Sequence, residues 1–598
     1  MKRIVSLLLI AAMTALLLPA LAQEAPETRQ LRILATSDLH GKFMPWDYAL
    51  NAESTSGSMA QLASAIKQYR TENTLLVDAG DSIQDNAAEI FFGQFDVHPM
   101  AAALNAIGYD LCVTGNHEFN YGMDTLRSYL ASLEPQVLSG NVYDETGARL
   151  AEPFTVFDMD GVRVAVIGMV TPAITRWDAL NLENCTVTDA LAETRAAIEA
   201  LEGRYDVLVG VFHMGLGSDY GLPNSGVEDI LNACPEFDVM VASHGHVLIP
   251  SMEINGALVV ENKSMAQTMS VIDLTLIRDG EGWRVADKQA ESVQISAYAP
   301  DPELTEVLAP YHAYALADAQ QVIGRLTGGP LVPEDEIAGI PTLQVQDTAL
   351  VDLINRVQLY YSGAQVSATA VGNVTANLLP GDIHKCDVSL IYRYTNTLYT
   401  LRMTGAQLKT YMEWSASYYN TLRPEDLTVS FDASIPVFNY DMFAGVRYEV
   451  NVAREPGSRI ENLTWPDGTP VADDDVFNIA VNNYRATTQL LAPGAVFAED
   501  DMPILIEIDV CDEIGGIREL IREYIRTECS GELTPDCDDS WRLTGIAWDE
   551  DMHRRVAELV AAGVLTVPVD NTGRSPNAAS ITVEDLTEAE SEAADDAA

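Results

Sequence analysis

Five short pieces of this chain carry side chains suited to holding cations: Asp38-Leu39-His40, Gly80-Asp81, Gly115-Asn116-His117-Glu118, His213, and His244-Gly245-His246. With His117 set aside, they offer two carboxylates (Asp38, Asp81), one amide (Asn116) and four imidazoles (His40, His213, His244, His246). That set suits a pair of divalent metal ions. Carboxylate, imidazole and amide ligands without a thiolate fit Mn, Zn, Fe, Co or Mg rather than a structural zinc. Two such ions roughly 3.5–4 Å apart clamp the attacking and leaving oxygens of a displacement at phosphorus and lower the pKa of a bound water. Asp81, alone on its piece, is the natural bridge between them. His117 is left over for chemistry. Neighbours on an extended segment point in opposite directions, so Asn116 can face the metals while His117 faces a phosphate. There it would stabilise charge or protonate the leaving oxygen.

Each piece alone is weak, since Asp-x-His is common, Gly-Asp is usually a turn and a single histidine usually belongs to the core. Their placement makes them specific. Each follows an apolar run that reads as a strand: Leu31–Ala35, Thr74–Ala79, Asp110–Thr114, Asp206–Phe212 and Asp238–Ala242. Open α/β sheets bind ligands beyond the carboxyl ends of their strands. Helical patterns at Gly57–Thr71, His98–Ile107, Met123–Leu133, Val187–Leu201 and Val227–Ala233 alternate with these runs, which predicts an α/β domain over about 29–298. Later strands at Arg163–Val170, Ala257–Asn262 and Thr268–Ile277 predict a second sheet beneath the first. His98, His312, His384 and His553 are read as structural.

At 598 residues the chain is too long for one core. An amphipathic helix at Asp301–Ala319, within a linker at 299–321, leads to a second domain over about 322–548. That domain mixes helices (Thr348–Tyr361, Gly405–Tyr418, Asp512–Thr527) with strands (Asp387–Arg393, Leu398–Met403, Gly445–Val452, Val476–Asn482). The segment 571–598 is acidic and polar and is expected to be a disordered tail. Residues 1–22 read as a cleavable export signal: Lys2 and Arg3, an apolar run, then Ala20-Leu21-Ala22. The expected mature protein is secreted, periplasmic or extracellular, without membrane insertion, and monomeric. Seven scattered cysteines exclude a disulfide scaffold, although Cys529 and Cys537 are close enough for a local bridge. A formal charge of −53 argues against nucleic-acid polymers and anionic membranes as partners. A small anionic substrate is less affected, because salt screens the field within about 8 Å and bound cations dominate locally.

The pieces resemble the calcineurin-like metallophosphatases, and within them the two-domain 5′-nucleotidase group, over most of the chain. The finer likeness is to the 2′,3′-cyclic-nucleotide 2′-phosphodiesterase/3′-nucleotidase branch. It is carried by Thr36-Ser37-Asp38-Leu39-His40-Gly41 with Asp47-Tyr48, by Asp78-Ala79-Gly80-Asp81-Ser82-Ile83-Gln84, by His98-Pro99, and above all by Gly115-Asn116-His117-Glu118-Phe119-Asn120-Tyr121-Gly122. The resemblance implies a four-layer α/β metallophosphoesterase domain followed by an α+β substrate-binding domain. It implies one metal on Asp38, His40, Asp81 and His246, and a second on Asp81, Asn116, His213 and His244. His117 would be the catalytic histidine, oriented by Asn120 where 5′-nucleotidases commonly carry Asp. Ser243 stands where Gly is usual.

The resemblance also implies a second domain that sandwiches a nucleotide's base between two rings, here Phe438 and Tyr484, with Tyr440 as the fallback for the first and Asn396 nearby in the group's pattern. Stacking of this kind contributes roughly 1–3 kcal/mol per base. Two departures are visible. Ala370–Thr375 replaces a glycine-rich, arginine-containing segment, and Thr487-Thr488-Gln489 replaces a Gly-Gly-Asp segment. The first weakens a 5′-phosphate reading. The expected activity is therefore hydrolysis of 2′,3′-cyclic nucleotides and 3′-nucleotides to nucleoside and phosphate. The alternatives are a 5′-nucleotidase or nucleotide-sugar hydrolase, or a non-catalytic nucleotide-binding protein.

Overall fold

The structure is a computed structural model, and it describes residues 27–596 apart from 180, 183, 395, 512, 571 and 573–576. The export signal read at 1–22 lies outside the described residues. Two compact units are present, dividing within the helix Pro302–Ala319 at Ala315/Leu316, with the short loop Tyr48–Asn51 grouped with the second.

The first unit contains twelve principal strands: β1 Thr28–Thr36, β2 Thr74–Asp78, β3 Leu111–Val113, β4 Gln136–Leu138, β5 Phe154–Met159, β6 Val162–Val170, β7 Val207–His213, β8 Val239–Ala242, β9 Ile249–Ile254, β10 Ala257–Glu261, β11 Thr268–Asp279 and β12 Gly282–Gln294. One sheet runs β12-β11-β1-β2-β3-β4 and the other β9-β10-β8-β7-β6-β5. The site-bearing strands β1, β2 and β3 are mutually parallel, as are β7 and β8, so their carboxyl ends share an edge in each sheet. Thr268–Ile277 was expected in the second sheet. It pairs antiparallel with β1 in the first, because the short loop after β10 returns the chain across to the other layer.

Alternation along a strand explains the layering. Val207, Val209 and Val211 join Ile33, Val77, Leu111 and Val113 in the core between the sheets. Leu208 and Phe212 face the other way, onto helices Ala190–Ala200 and Val227–Ala233. A strand buried on both sides has to read as a continuous apolar run. Helices Met59–Tyr69 and Pro99–Ile107 bury apolar faces flanking the first sheet, completing four layers. His98 caps the second of these: its Nδ1 accepts from Met100 N, so Nε2–H donates to Ala88 O.

The second unit centres on a five-stranded sheet in the order Met442–Ala444, Val366–Thr369, Val476–Asn482, Leu398–Thr404, Ile504–Glu507, with helix Ala349–Ser362 packed against it. Three expectations fail here. Asp387–Arg393 is not a strand: Lys385–Ile391 is helical, started by a reciprocal capping pair of His384 and Asp387. The helix expected from Asp512 begins at Ile517, with Gly516 as its N-cap and Gly515 at a φ of 118° before it. The unit does not stop at 548, and the described part of 571–598 packs on it rather than forming a tail. Helix Glu550–Ala561 buries Val556 and Leu559, and Ile581 and Leu586 are buried in the same core. Phe431 N donates to Ala578 O and Leu427 N to Ile581 O. The helix Val583–Asp596 starts from a Thr582/Asp585 capping pair and turns Val583, Leu586 and Ala589 inward. Its Glu584, Glu588 and Glu590 lie on the exposed side. All seven cysteines are free, Cys529 and Cys537 included. Among the described residues no helix is long and apolar enough to cross a membrane.

Candidate active site

All seven expected ligands meet where β1, β2, β3, β7 and β8 end. Asp38, His40 and His246 form one group, and Asp81, His213 and His244 another, each with its ligand atoms within 4.8 Å of one another. His40 Nε2 and His246 Nε2 are 3.1 Å apart, and His246 Nε2 is 3.4 Å from Asp38 Oδ1. In the second group Asn116 Oδ1 lies 3.0 Å from His213 Nε2 and 2.9 Å from His244 Nδ1. Asp81 Oδ2 is 3.1 Å from His213 Nε2.

Hydrogen-bond chemistry shows what these distances mean. His213 Nδ1 lies 2.7 Å from Ala79 O, and a carbonyl only accepts, so Nδ1 carries the proton. In the neutral ring, Nε2 then presents a lone pair toward Asn116 Oδ1 and Asp81 Oδ2, two further acceptors. His244 behaves alike, with Nε2 3.5 Å from Asp219 Oδ1 and Nδ1 turned to Asn116 Oδ1. Acceptors about 3 Å apart repel one another unless a cation lies between them, and this separation would suit ligands of a divalent ion. Asp38 Oδ2 and Asp81 Oδ2 are buried without a hydrogen-bond partner, and such orphans are rare unless an ion satisfies them. Burial opposes charge on Asp81, yet His213, His117 and His40 hold its carboxyl well below the usual carboxylate range. Burial likewise opposes charge on His213, but Asp81 and Asp38 pull it up to about 10. The polypeptide calls for positive charge here, and the donor set fits divalent cations.

The backbone is bent to make this possible. Asp38, His40, Asp81, His244 and His246 all adopt left-handed φ, between 44° and 69°. Non-glycine residues do so rarely, and such strain concentrates at functional sites. Two glycines allow the loops to touch: a Cβ on Gly80 would sit 2.4 Å from Gly115 N, and one on Gly115 would sit 2.2 Å from Asp81 Oδ1. Ser243 fits in place of glycine because its hydroxyl donates to the Phe212 carbonyl.

Several partners of the site carried no assignment at the level of sequence. Glu118, 2 % exposed, accepts from the backbone N–H groups of Asp81, Ser82 and Gly115, tying two site loops together. Gln84 holds His40 Nδ1. Asp219 faces His244. His117 Nδ1 is 2.7 Å from Asn120 Oδ1, as expected, but Asn120 Nδ2 in turn donates to Asp178 Oδ1. Glu118 and Gln84 stood inside conspicuous motifs, whereas Asp178 and Asp219 come from loops whose sequence carries no metal-type pattern.

In the second unit, Phe438, Tyr484 and Asn396 line one cavity of about 180 Å³ with Tyr392, Arg393 and Arg485. The Phe438 and Tyr484 rings stand 6.2 Å apart at 81°, edge to face rather than as parallel walls. Tyr440 is not an alternative wall. It is buried in the core, stacked on Tyr418, and its hydroxyl lies 2.6 Å from that of Tyr419. Arg485, which sequence reading passed over, donates to Phe438 O and to Asn439 Oδ1 and pairs with buried Asp441, so it fixes the loop that carries Phe438.

Residues 31–250 match the family description "calcineurin-like phosphoesterase", and residues 322–490 match "5′-nucleotidase, C-terminal domain". The chain joins a calcineurin-like phosphoesterase domain to a 5′-nucleotidase C-terminal domain. It is thus a metal-dependent hydrolase of ester bonds. It is 28% identical to a 2′,3′-cyclic-nucleotide 2′-phosphodiesterase/3′-nucleotidase of Yersinia enterocolitica, covering 91% of this chain and 92% of that protein. It is 26% identical to the trifunctional nucleotide phosphoesterase protein YfkN of Bacillus subtilis, covering 88% of this chain but spanning only 39% of YfkN's length. Its fold is shared with a Staphylococcus aureus structure provisionally described as a 5′-nucleotidase, at a TM-score of 0.65 and 22% identity, covering 86% of this chain and 100% of that one.

Proposed function

We propose that this phosphoesterase hydrolyses 2′,3′-cyclic nucleotides to 3′-nucleotides and then removes the 3′-phosphate, releasing a nucleoside. The observation that carries the reading is the cluster of acceptor atoms around Asn116 Oδ1, with contacts of 3.0 Å to His213 Nε2, 2.9 Å to His244 Nδ1 and 3.1 Å between His213 Nε2 and Asp81 Oδ2, backed by two orphaned carboxylate oxygens. Asp38, His40, Asp81 and His246 would hold one divalent cation and Asp81, Asn116, His213 and His244 the other. When bound, the pair supplies a water nucleophile at neutral pH and charge to stabilise the phosphoryl group. His117 in its imidazolium form, with Nδ1–H held by Asn120, would give its Nε2 proton to the leaving oxygen as the general acid, leaving a neutral ring protonated on Nδ1. The cavity bearing Phe438 and Tyr484 would hold the nucleoside, and Phe438 must rotate from its present perpendicular pose for both rings to stack on one base.

The choice of cyclic and 3′-substrates over 5′-nucleotides is supported by the relative from Yersinia enterocolitica, by Asn120 in place of aspartate, and by the absence of arginine from Ala370–Thr375. Hydrolysis of 2′,3′-cyclic AMP, 3′-AMP and 5′-AMP, compared with Mn²⁺ present, tests it. Preferred turnover of 5′-AMP would replace this reading with a 5′-nucleotidase. Less than one metal equivalent after loading would favour a non-catalytic binder. Export by the Lys2–Ala22 leader is part of the same proposal, checked by N-terminal sequencing of protein recovered outside the cytoplasm.

A further inference from the structure

A side-chain amide is a poor guide for an imidazole. Its oxygen and nitrogen are close in size, so Asn120 alone does not decide which ring nitrogen of His117 carries the proton. The segment after β6 removes that freedom. Asp178, 4 % exposed, accepts from Asn120 Nδ2 at 2.9 Å through Oδ1. Asn181 Nδ2 donates to the same oxygen at 3.3 Å and to Asn120 O at 3.0 Å, holding both partners in register. An ionised carboxylate only accepts, so the amide nitrogen of Asn120 must face Asp178 and its oxygen must face His117. The neutral His117 ring then keeps its proton on Nδ1, so Nε2, 4.0 Å from Asp81 Oδ2, is the nitrogen that gives and regains the catalytic proton.

We propose that Asp178 is a positioning residue that sets the tautomer of His117 through Asn120, supplying from one residue away the orienting carboxylate that the Asn at position 120 lacks. This rests on His117 being the reacting histidine. Asp178 touches neither the candidate metal ligands nor the phosphate site, so its effect should fall on turnover and not on metal content.

The test compares Asp178→Asn, the exchange Asp178→Asn/Asn120→Asp, and His117→Ala in the full chain. The readouts are metal content, steady-state kinetics on 2′,3′-cyclic AMP, and ¹⁵N-histidine NMR of the Mg²⁺- or Zn²⁺-loaded protein. Asp178→Asn is expected to lower kcat at least about 10-fold, as loss of tautomer control does in other imidazole-based sites, with KM within about twofold. The His117 proton signal should redistribute from Nδ1 to Nε2. The exchange should recover most of kcat, because a carboxylate then faces His117 directly. Native kcat in Asp178→Asn beside an inactive His117→Ala, or an exchange no faster than the single variant, overturns this inference alone. Native turnover in His117→Ala overturns the reading beneath it.

Discussion

Arg485 Nε and Asp441 Oδ2 lie 2.6 Å apart, each side chain at most 2 % exposed, with Tyr411 Oη donating to the same carboxylate and Trp414 beneath the guanidinium. Removing one member of such a pair leaves a buried charge uncompensated, which costs about 3–5 kcal/mol. Arg485→Met should therefore destabilise the second unit by that order in denaturant unfolding, and Arg485→Met/Asp441→Asn should recover part of it. A loss below about 1 kcal/mol in the single variant would show that the pair does not hold the Phe438 loop.

His117→Ala should lose about 10²–10⁴-fold in kcat, the usual range for a general acid, while binding as much metal as the parent. Metal analysis and kinetics on one preparation decide this, and a variant within tenfold of native kcat would remove His117 from the mechanism.

Asp81 is the only side chain assigned to both cations. Asp81→Asn should therefore cost more metal than any other single ligand change, with activity down more than about 100-fold. Elemental analysis after loading and desalting should give two equivalents for the parent and fewer than one for the variant. Two retained equivalents would contradict the bridge.

Burial pushes the His98 imidazole down to about 4, against about 6.5 in an unfolded chain. Between those values the unfolded state takes up a proton and the folded state does not. Stability is therefore full above about pH 6.5 and falls as pH drops toward 4, by roughly 3 kcal/mol. Asn can cap the same helix without titrating, so His98→Asn should lose less Tm than the parent between pH 7 and pH 4. Parallel Tm curves would show that His98 is not the sensitive group.

The centre was legible because burying a carboxylate or imidazole at a strand end needs a reason, and five strand ends supplied the same one. The α/β order was legible because Val207–Phe212 and its counterparts are apolar on both faces. What stayed hidden depends on packing. Val388-Ser389-Leu390-Ile391 suits strand or helix alike, and only the His384–Asp387 capping pair decides it. Net acidity masked the apolar stripe Val583, Leu586 and Ala589, although Thr582-x-x-Asp585 was a readable helix start. Asp178 and Asp219 gain meaning only from residues distant in sequence.

The left-handed backbone at Asp38, His40, Asp81, His244 and His246 sets robustness against turnover at the same five positions. Each conformation costs an ordinary residue about 1–2 kcal/mol, and glycine would relieve it while deleting a ligand. A library evolved for heat tolerance with no demand for catalysis should drift toward glycine at these positions, yielding hardier and inert descendants.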